Sequence, residues 1–579
     1  MYFLSGFGAY DFLIRDSLIL ILVGASIYLL FNAGFFAVPQ IGFMAIGAYT
    51  AALASQQWEL PLPLTLTSAL VVGALFGLVL GLALFRLNGV YLAIATVGFS
   101  EMVRVTIRNM DVTGGPTGLV GIDLSLNDLH IALIVLIVFV GLALLRRTRH
   151  GIAMVAIRED PLMAAHQGIS VRRYRVMLFI GSGGLAGLAG GMRVHLNGFV
   201  EPSAFSFDLL SDILAATVVG GMTVVAGPLV GGALIFGLVE VLREFQAYRH
   251  MINGALIVLI VAFAPAGVFL LVKDSIVKVL RRVKLLPQQA STSVFDEDRS
   301  VPDIYVAPVS SREPARYTSP PILTVEELVK NFGGVKAVQT VDLDVYEGEV
   351  LGIIGPNGSG KTTVLNLLSG VYVPDSGRGK LAGTVLDHLW GRPEKLMRMG
   401  LSRTFQNIRL VDGYSVAENV RVGAYMDSAH DPLTHRLGLT SSSSEGGHLV
   451  GSDEAISLAM SRVGISHIAS LDVAALPYGL KRKVEIARAL VAQPKLLLLD
   501  EPTAGMSPAE RDDIFSVVAS LRAEGVSVVI VEHDVSSMVR HCDRIVVLNF
   551  GKVIAVGNPE EVTGSKEVID AYIGDVAHA

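Results

Sequence analysis

The chain has 579 residues, of which 52% are apolar and only 17% charged. Its mean hydropathy of +0.56 is too high for a protein that is soluble throughout. The net charge of −6 offers no footing for nucleic-acid binding. The single cysteine, Cys542, excludes an intrachain disulfide framework and cysteine-rich zinc sites, and reads as a small buried hydrophobe. Composition shifts along the chain: the first half is almost continuously apolar, whereas the second reads as an ordinary soluble α/β domain.

Residues 1–286 contain apolar runs close to the ~20 residues needed to cross ~30 Å of hydrocarbon. Spans are predicted near 17–36, 39–55, 64–85, 89–107, 130–145, 176–195, 209–222, 227–243 and 251–272, within a range of eight to ten. The N-terminus lacks a basic n-region and a small-residue cleavage site, so the first span is expected to be a retained helix. Orientation follows the basic residues near the span ends. Arg146, Arg147, Arg149, Arg158, Arg172, Arg173 and Arg175 outweigh Glu159 and Asp160, and Lys273, Lys278, Arg281, Arg282 and Lys284 follow the last span. Both groups are expected to face the cytoplasm. Loops 109–129 and 196–208 hold acids but no Lys or Arg, as expected outside, while Arg243 and Arg249 weakly oppose the scheme. An odd number of spans then places the second domain in the cytoplasm.

Two patterns inside the spans have physical readings. Glu101, Arg104 and Arg108 share one helical face near a span end, where a paired, interfacial role is favoured over substrate contact. Gly183, Gly187 and Gly191, four residues apart in an apolar run, are expected to let helices approach closely.

From Pro287 to Pro321 the sequence turns polar and proline-rich, which predicts a linker reaching on the order of 30 Å if coiled. Residues 322–579 form the second domain, and the patch Ser441 to Gly447 within it is expected to be a surface loop. The apolar run Val350 to Ile354 leads into Gly355, Pro356, Asn357, Gly358, Ser359, Gly360, Lys361, Thr362 and Thr363, then into an apolar helix. This strand, loop and helix is the context in which G-x-x-x-x-G-K-[ST] binds a nucleoside triphosphate. Glycines turn backbone N–H groups toward phosphates, Lys361 reaches the β/γ-phosphates, and the Thr362 hydroxyl coordinates Mg²⁺. Lys495-Leu-Leu-Leu-Leu-Asp500-Glu501 reads as a buried strand ending in two carboxylates. A parallel strand beside the P-loop strand would deliver Asp500 to the Mg²⁺ shell and Glu501 to a water in line with the γ-phosphate. The next strand ends at His533, placed to sense that phosphate.

Leu476-Pro-Tyr-Gly-Leu-Lys-Arg-Lys-Val-Glu-Ile-Ala-Arg-Ala-Leu490 resembles the signature motif and helix of ABC transporter ATPases. With Gln406 in Arg403-Thr-Phe-Gln-Asn407, Glu-Pro-Thr after Asp500, and His533 in Glu-His-Asp, the resemblance covers about 322–577 in complete motif order. More narrowly, Phe332-Gly-Gly-Val-Lys-Ala-Val338, Ala504-Gly-Met-Ser-Pro508 and Gly557-Asn-Pro-Glu-Glu-Val562 resemble the LivG-type ATPases of branched-chain amino acid importers. Independently, Tyr91-Leu-Ala-Ile-Ala-Thr-Val-Gly-Phe-Ser-Glu-Met-Val-Arg104, Thr113-Gly-Gly-Pro-Thr-Gly118, Ala156-Ile-Arg-Glu-Asp160 and Val219-Gly-Gly-Met222 resemble the LivM-type permease. The chain thus resembles a LivM–LivG fusion, a polytopic α-helical membrane domain followed by an α/β P-loop NTPase domain.

The resemblance implies ATP and Mg²⁺ as cofactors. It also implies that Phe332 stacks on adenine, Gln406 touches Mg²⁺ and the nucleophilic water, Glu501 is the general base, and His533 binds the γ-phosphate. The stretch Arg158 to Gly168 resembles the permease loop that docks near the Gln406 loop, and contact with residues 406–414 is expected. The signature, Pro477, Tyr478, Gly479 and Leu480, departs from the usual Ser, Gly, Gly and Gln. Proline has neither hydroxyl nor N–H, so a weakened signature is expected, although Gly479 keeps its N–H and the helix its dipole. The implied partners are a second permease and ATPase of LivH and LivF type, or a second copy, in a bacterial inner membrane, plus an extracytoplasmic substrate-binding protein. An exporter or lipid flippase, an ATP-gated channel or regulatory ATPase, and an importer of urea or short amides are the competing readings.

Overall fold

The structure, a computed structural model, describes residues 2–241, 249–263, 267–270, 320–424 and 453–576. Apart from residues 320–321, the expected linker lies outside the described residues. So do the Ser/Gly patch and the basic flank of the last span. The chain divides into two compact units: Met1–Arg158 with Val171–Glu297, and Glu159–Ser170 with Asp298–Ala579.

The first unit is helical. In chain order the helices are α1 Tyr2–Phe31, α2 Gln40–Trp58, α3 Leu62–Ala83, α4 Gly89–Arg108, α5 Asp128–Arg147, α6 Arg149–Glu159, α7 Pro161–His166, α8 Val171–Asn197, α9 Phe207–Gly220, α10 Gly227–Val241 and α11 Arg249–Phe263, of which α7 belongs to the second unit. A helix stands at each of the nine predicted spans. Among the described residues six segments are long and apolar enough to cross a membrane: Asp11–Phe31, Leu62–Ala83, Gly89–Arg108, Asp128–Arg147, Val171–Asn197 and Pro202–Gly220. The helix α2 lies outside this set: its 19 residues include Gln40, Gln56 and Gln57 among many Gly, Ala and Ser, and Gln40 to Tyr49 are all buried.

The helix α8 organises the bundle, and the glycine stripe explains how. A Cβ at Gly183 would lie 2.3 Å from the Gly73 carbonyl oxygen on α3, and one at Gly187 would lie 2.5 Å from that of Ala69. The backbones therefore touch where side chains would hold them apart, as expected from the spacing. Glu101 pairs with Arg104 across one turn at 2.5 Å, with Glu101 half exposed, which is the pairing expected. Loops 109–129 and 196–208 are tied together by the short strands β1 (Leu119–Val120) and β2 (Phe199–Val200), paired antiparallel.

The second unit carries two sheets. β3 (Leu323–Phe332), β4 (Val335–Val345), β6 (Ser376–Leu381) and β7 (Thr384–Val385) form an antiparallel sheet in the order β4-β3-β6-β7. β5 (Val350–Ile354), β8 (Leu401–Arg403), β9 (Leu496–Asp500), β10 (Ser527–Val531), β11 (Arg544–Asn549) and β12 (Lys552–Gly557) form the other, in the order β12-β11-β5-β10-β9-β8. All its pairings are parallel except that of β11 with β12. β5, β9 and β10 are buried at every residue, as continuous apolar runs in a sheet covered on both faces must be. One expectation needs correction: β9 does not lie beside the P-loop strand. β10 is inserted between them, pairing with β5 on one side and β9 on the other. Its four apolar residues after Ser527, all buried, give a central strand two covered faces, and it brings His533 between the P-loop and Glu501.

Candidate functional site

The loop after β5 turns so tightly that side chains are excluded. Gly355 has φ +152° and Gly360 φ +100°, and a Cβ on them would lie 2.1 Å from the Leu548 and 2.5 Å from the Ala337 carbonyl oxygens. The helix that follows starts at Lys361, so the N–H groups of Lys361, Thr362 and Thr363 have no acceptor within it. The Lys361 ammonium donates to the carbonyls of Gly355 and Pro356 at 2.8 and 2.9 Å, which holds it over its own loop. Asn357, Gly358, Gly360, Lys361, Thr362 and Thr363 line a cleft of about 570 Å³ that also receives Gln406, Glu501 and His533. Four motifs separated by up to 176 residues thus meet at one cleft. Ser359 is buried beneath it.

Glu501 sits at its centre in a left-handed backbone conformation, φ +46°. That geometry is strained for a residue with a Cβ and is concentrated at functional positions. The Gln406 amide Nε2 donates to one carboxylate oxygen at 2.9 Å, and His533 Nε2 meets the other at 2.8 Å. Asp500 is nearly inaccessible. Its Oδ2 accepts from Arg403 at 2.9 Å, while Oδ1 is buried without a hydrogen-bond partner. Burial pushes the Asp500 carboxyl up and the Arg403 guanidinium opposes the shift. The orphaned carboxylate oxygen of Asp500, next in the chain to the cleft residue Glu501, and the Thr362 hydroxyl on the cleft lining are hard oxygen donors of the kind that fit Mg²⁺ bound through nucleotide phosphates.

Phe332 is placed differently from these residues. It ends β3, is 42% exposed and lies edge-on to Tyr372 at 5.1 Å between ring centroids. The cleft lining is instead built from the next strand, by Val335, Lys336 and Ala337. At the signature, Pro477 caps the helix Tyr478–Leu490 without a side-chain hydrogen bond. The Tyr478 hydroxyl accepts from Arg482 at 3.2 Å, Gly479 faces Glu510, and Leu480 packs against the core.

Two further arrangements stand in this unit, the first not anticipated and the second expected. Arg482, Glu485 and Arg488 are each at most 1% exposed. Arg482 donates to the carbonyls of Phe405 and Gln406 at 2.5 and 2.8 Å and pairs with Glu485 at 2.7 Å. Glu485 accepts the Phe405 N–H at 3.2 Å, and Arg488 donates to the Arg409 carbonyl at 2.5 Å. The signature helix therefore grips the backbone of the Gln406 loop. Its charges at i, i+3 and i+6 on a helix packed into the core were the available signal.

The second arrangement is the seat of residues 159–170. Asp160 caps α7 by accepting the Met163 N–H at 2.7 Å and forms an ion pair with Arg409. His166 packs edge-on against Phe405, centroids 5.1 Å apart. Contact with the region from Gln406 was expected; Arg409 provides it, and Phe405 extends it by one residue. Burial first, and then the charge of Arg403, lower the His166 pKa from 6.5 to about 3. Because the lowered pKa belongs to the docked form, docking is indifferent to pH above about 6.5. It weakens as pH falls toward about 3, since only the released histidine takes a proton there. Between pH 7.5 and 5.5 the loss is expected to be about 1.4 kcal/mol. Amide exchange of residues 161–168, corrected for intrinsic rates, should show protection about tenfold lower at pH 5.5; unchanged protection would count against a neutral buried His166.

A P-loop, a strand-end carboxylate pair, and a glutamine and a histidine bonded to the second carboxylate, below a helix opened by a short motif, define the ATPase of an ABC transporter. Here it shares one chain with a bundle of membrane-spanning helices. Residues 9–261 match the family described as branched-chain amino acid transport system / permease component, and residues 338–504 match the ABC transporter family. The high-affinity branched-chain amino acid transport ATP-binding protein BraF of Pseudomonas aeruginosa is 39% identical over 261 residues, 44% of this chain and 99% of its own. LivG of Escherichia coli K12, described in the same words, is 38% identical over 267 residues, again 44% of this chain and 99% of its own. A solved ATP-binding cassette of an ABC transporter in its ADP conformation is 31% identical, covering 44% of this chain and 100% of its own, with a TM-score of 0.38. The chain belongs to the ABC transporter family of branched-chain amino acid type, and fuses a permease domain to a LivG-like ATPase that hydrolyses ATP in coupling to transport.

Proposed function

We propose that this protein is the fused permease and ATPase subunit of an importer that moves branched-chain amino acids, or related small polar solutes, into the cytoplasm across a bacterial inner membrane. The observation that carries the reading is the pairing, in one chain, of a branched-chain amino acid permease match over 9–261 with a LivG-like ATPase. In this reading Lys361 and the loop 355–363 hold the phosphates of ATP. Thr362, Asp500 and Gln406 hold Mg²⁺, which neutralises phosphate charge, while Glu501 takes the proton of the attacking water and His533 senses the γ-phosphate. The strained Glu501 backbone and its two hydrogen bonds support that assignment. Phe332 is proposed to stack on adenine from its exposed position at the tip of the β3–β4 hairpin.

Two ATPase domains sandwich two nucleotides and their closure drives the permeases. This chain supplies one of each, and requires LivH- and LivF-like partners or a second copy, together with an extracytoplasmic binding protein. The seat of residues 159–170 against Phe405 and Arg409 supports a transmission route, since it ends one residue from Gln406. The test is uptake of labelled leucine, urea and short amides into proteoliposomes containing the assembled transporter and candidate binding proteins. ATP-dependent leucine accumulation supports the reading; ATP-dependent efflux would replace it with an exporter, and accumulation of urea or amides alone would replace the substrate.

Because Pro477 and Leu480 weaken the signature offered by this chain while its own P-loop, Gln406, Glu501 and His533 are complete, the two composite sites are expected to be unequal when the partner ATPase has an intact signature. Removing Glu501 should then lower turnover more than removing the partner's equivalent carboxylate. Equal losses from the two single variants would contradict this asymmetry.

A further inference from the structure

The turn Asn549-Phe550-Gly551 joins β11 to β12 and carries an apolar ring in an unusual position. Phe550 is 79% exposed, and its backbone is left-handed at φ +43°, a conformation that glycine or asparagine adopts at lower cost. The turn is not loose. The Gln339 side-chain Nε2 donates to the Phe550 carbonyl at 2.8 Å and the Gln339 N–H to the Gly551 carbonyl at 2.7 Å. On its other side the Gly551 N–H donates to the carbonyl of Ser359 in the P-loop at 2.9 Å. A strained turn is thus fastened both to β4 and to the phosphate loop, and it holds a phenyl ring in water.

The ring lies on the lining of the nucleotide cleft. That lining separates by chemistry. Lys361, Thr362, Gln406, Glu501 and His533 suit phosphate and its hydrolysis, whereas Val335, Ala337 and Phe550, which stand on the lining with Lys336 and Gln339, have nothing to offer an anion. Val335 is itself 66% exposed and is the cross-strand partner of Phe332. Exposed apolar side chains therefore collect at the cleft beside a loop built for phosphates, where a nucleotide presents an uncharged flat base and its sugar. Aromatic faces stack on such bases without regard to their identity.

We propose that Phe550 forms a wall of the site that receives the nucleoside part of ATP, so that loss of its ring weakens binding of a nucleotide but not of its phosphate chain. This rests on the cleft being the ATP site, and the probes keep the two ideas apart. Calorimetric titration of the full-length protein in nanodiscs with ATP, and with inorganic tripolyphosphate, would compare the parent with Phe550→Ala, Phe550→Asn and Phe550→Trp. Asparagine tolerates the left-handed backbone and isolates the loss of the ring from disturbance of the turn. The expected result is about tenfold weaker ATP binding in the alanine and asparagine variants, unchanged tripolyphosphate binding, and recovery with tryptophan. Unchanged ATP affinity overturns the proposal. Equal weakening toward both probes also overturns it, by showing that the turn acts through Ser359 on the phosphate loop. A fall in turnover at unchanged ATP affinity assigns the ring instead to contact with the opposing ATPase. If Lys361→Ala leaves ATP binding intact, it is the cleft assignment that fails; if only Phe332→Ala weakens ATP binding, the cleft stands and Phe550 has no part in it.

Discussion

Replacing Glu501 by glutamine is expected to leave ATP bound and to lower turnover by at least ~100-fold, the scale of losing a general base. The substitution preserves the volume of the side chain and one acceptor oxygen for Gln406 or His533, and removes the carboxylate charge and with it the basicity. Asp500, Lys361 and Thr362 are untouched, so the phosphates keep their binding groups. The measurement needs an assembly in which the P-loop of this chain is the only competent one, with nucleotide binding and phosphate release followed on the same preparation. Turnover within a few-fold of the parent would remove Glu501 from the chemistry and leave its strained backbone, φ +46°, without a catalytic account.

The second large effect is structural. Arg482→Met is expected to destabilise the ATPase unit by about 3–5 kcal/mol, because removing one member of a buried ion pair leaves the other charged and unpaired. Glu485, 1% exposed, would lose its 2.7 Å partner and keep only Arg488 at 3.8 Å. The carbonyls of Phe405 and Gln406 would lose their donors at the same time. Burial already pushes the Glu485 carboxyl up, so the variant should shed part of its loss when Glu485→Gln is added, since the neutral amide is cheaper to bury. Denaturant unfolding of the ATPase unit checks both statements. A loss below about 1 kcal/mol in the single variant would mean that the cluster relaxes toward solvent and does not hold the Gln406 loop.

Much of the architecture was open to a reader of the residues because it depends on short-range pattern. The run Val350 to Ile354 is β5 to the residue, and a helix stands at each of the nine apolar stretches. The glycines at 183 and 187 do allow helix backbones to touch. Lys361, Thr362, Glu501 and His533 could be chosen because each stands at a fixed offset from a strand end or glycine turn, whereas Gln406 came from the family resemblance. Phe332 was chosen by analogy alone, and the structure seats it against Tyr372. Arg403, Arg409, Arg482, Glu485 and His166 were passed over as charges on loops and helices, since nothing local to them says which distant backbone they meet.

Local sequence settled where the chain enters and leaves each element, which segments cannot remain in water, and that a phosphate loop, two carboxylates, a glutamine and a histidine are present. These follow from the spacing of apolar residues, from the conformational freedom of glycine and from the length of a span. Only the fold decided that β10 separates β5 from β9, that both oxygens of Glu501 are held by residues 95 and 32 positions away, and that residues 159–170 sit with the ATPase. Strand order and buried charge pairing depend on contacts between residues far apart in the chain. Their free energy comes from desolvation and geometry at the point of contact, which no window of sequence contains.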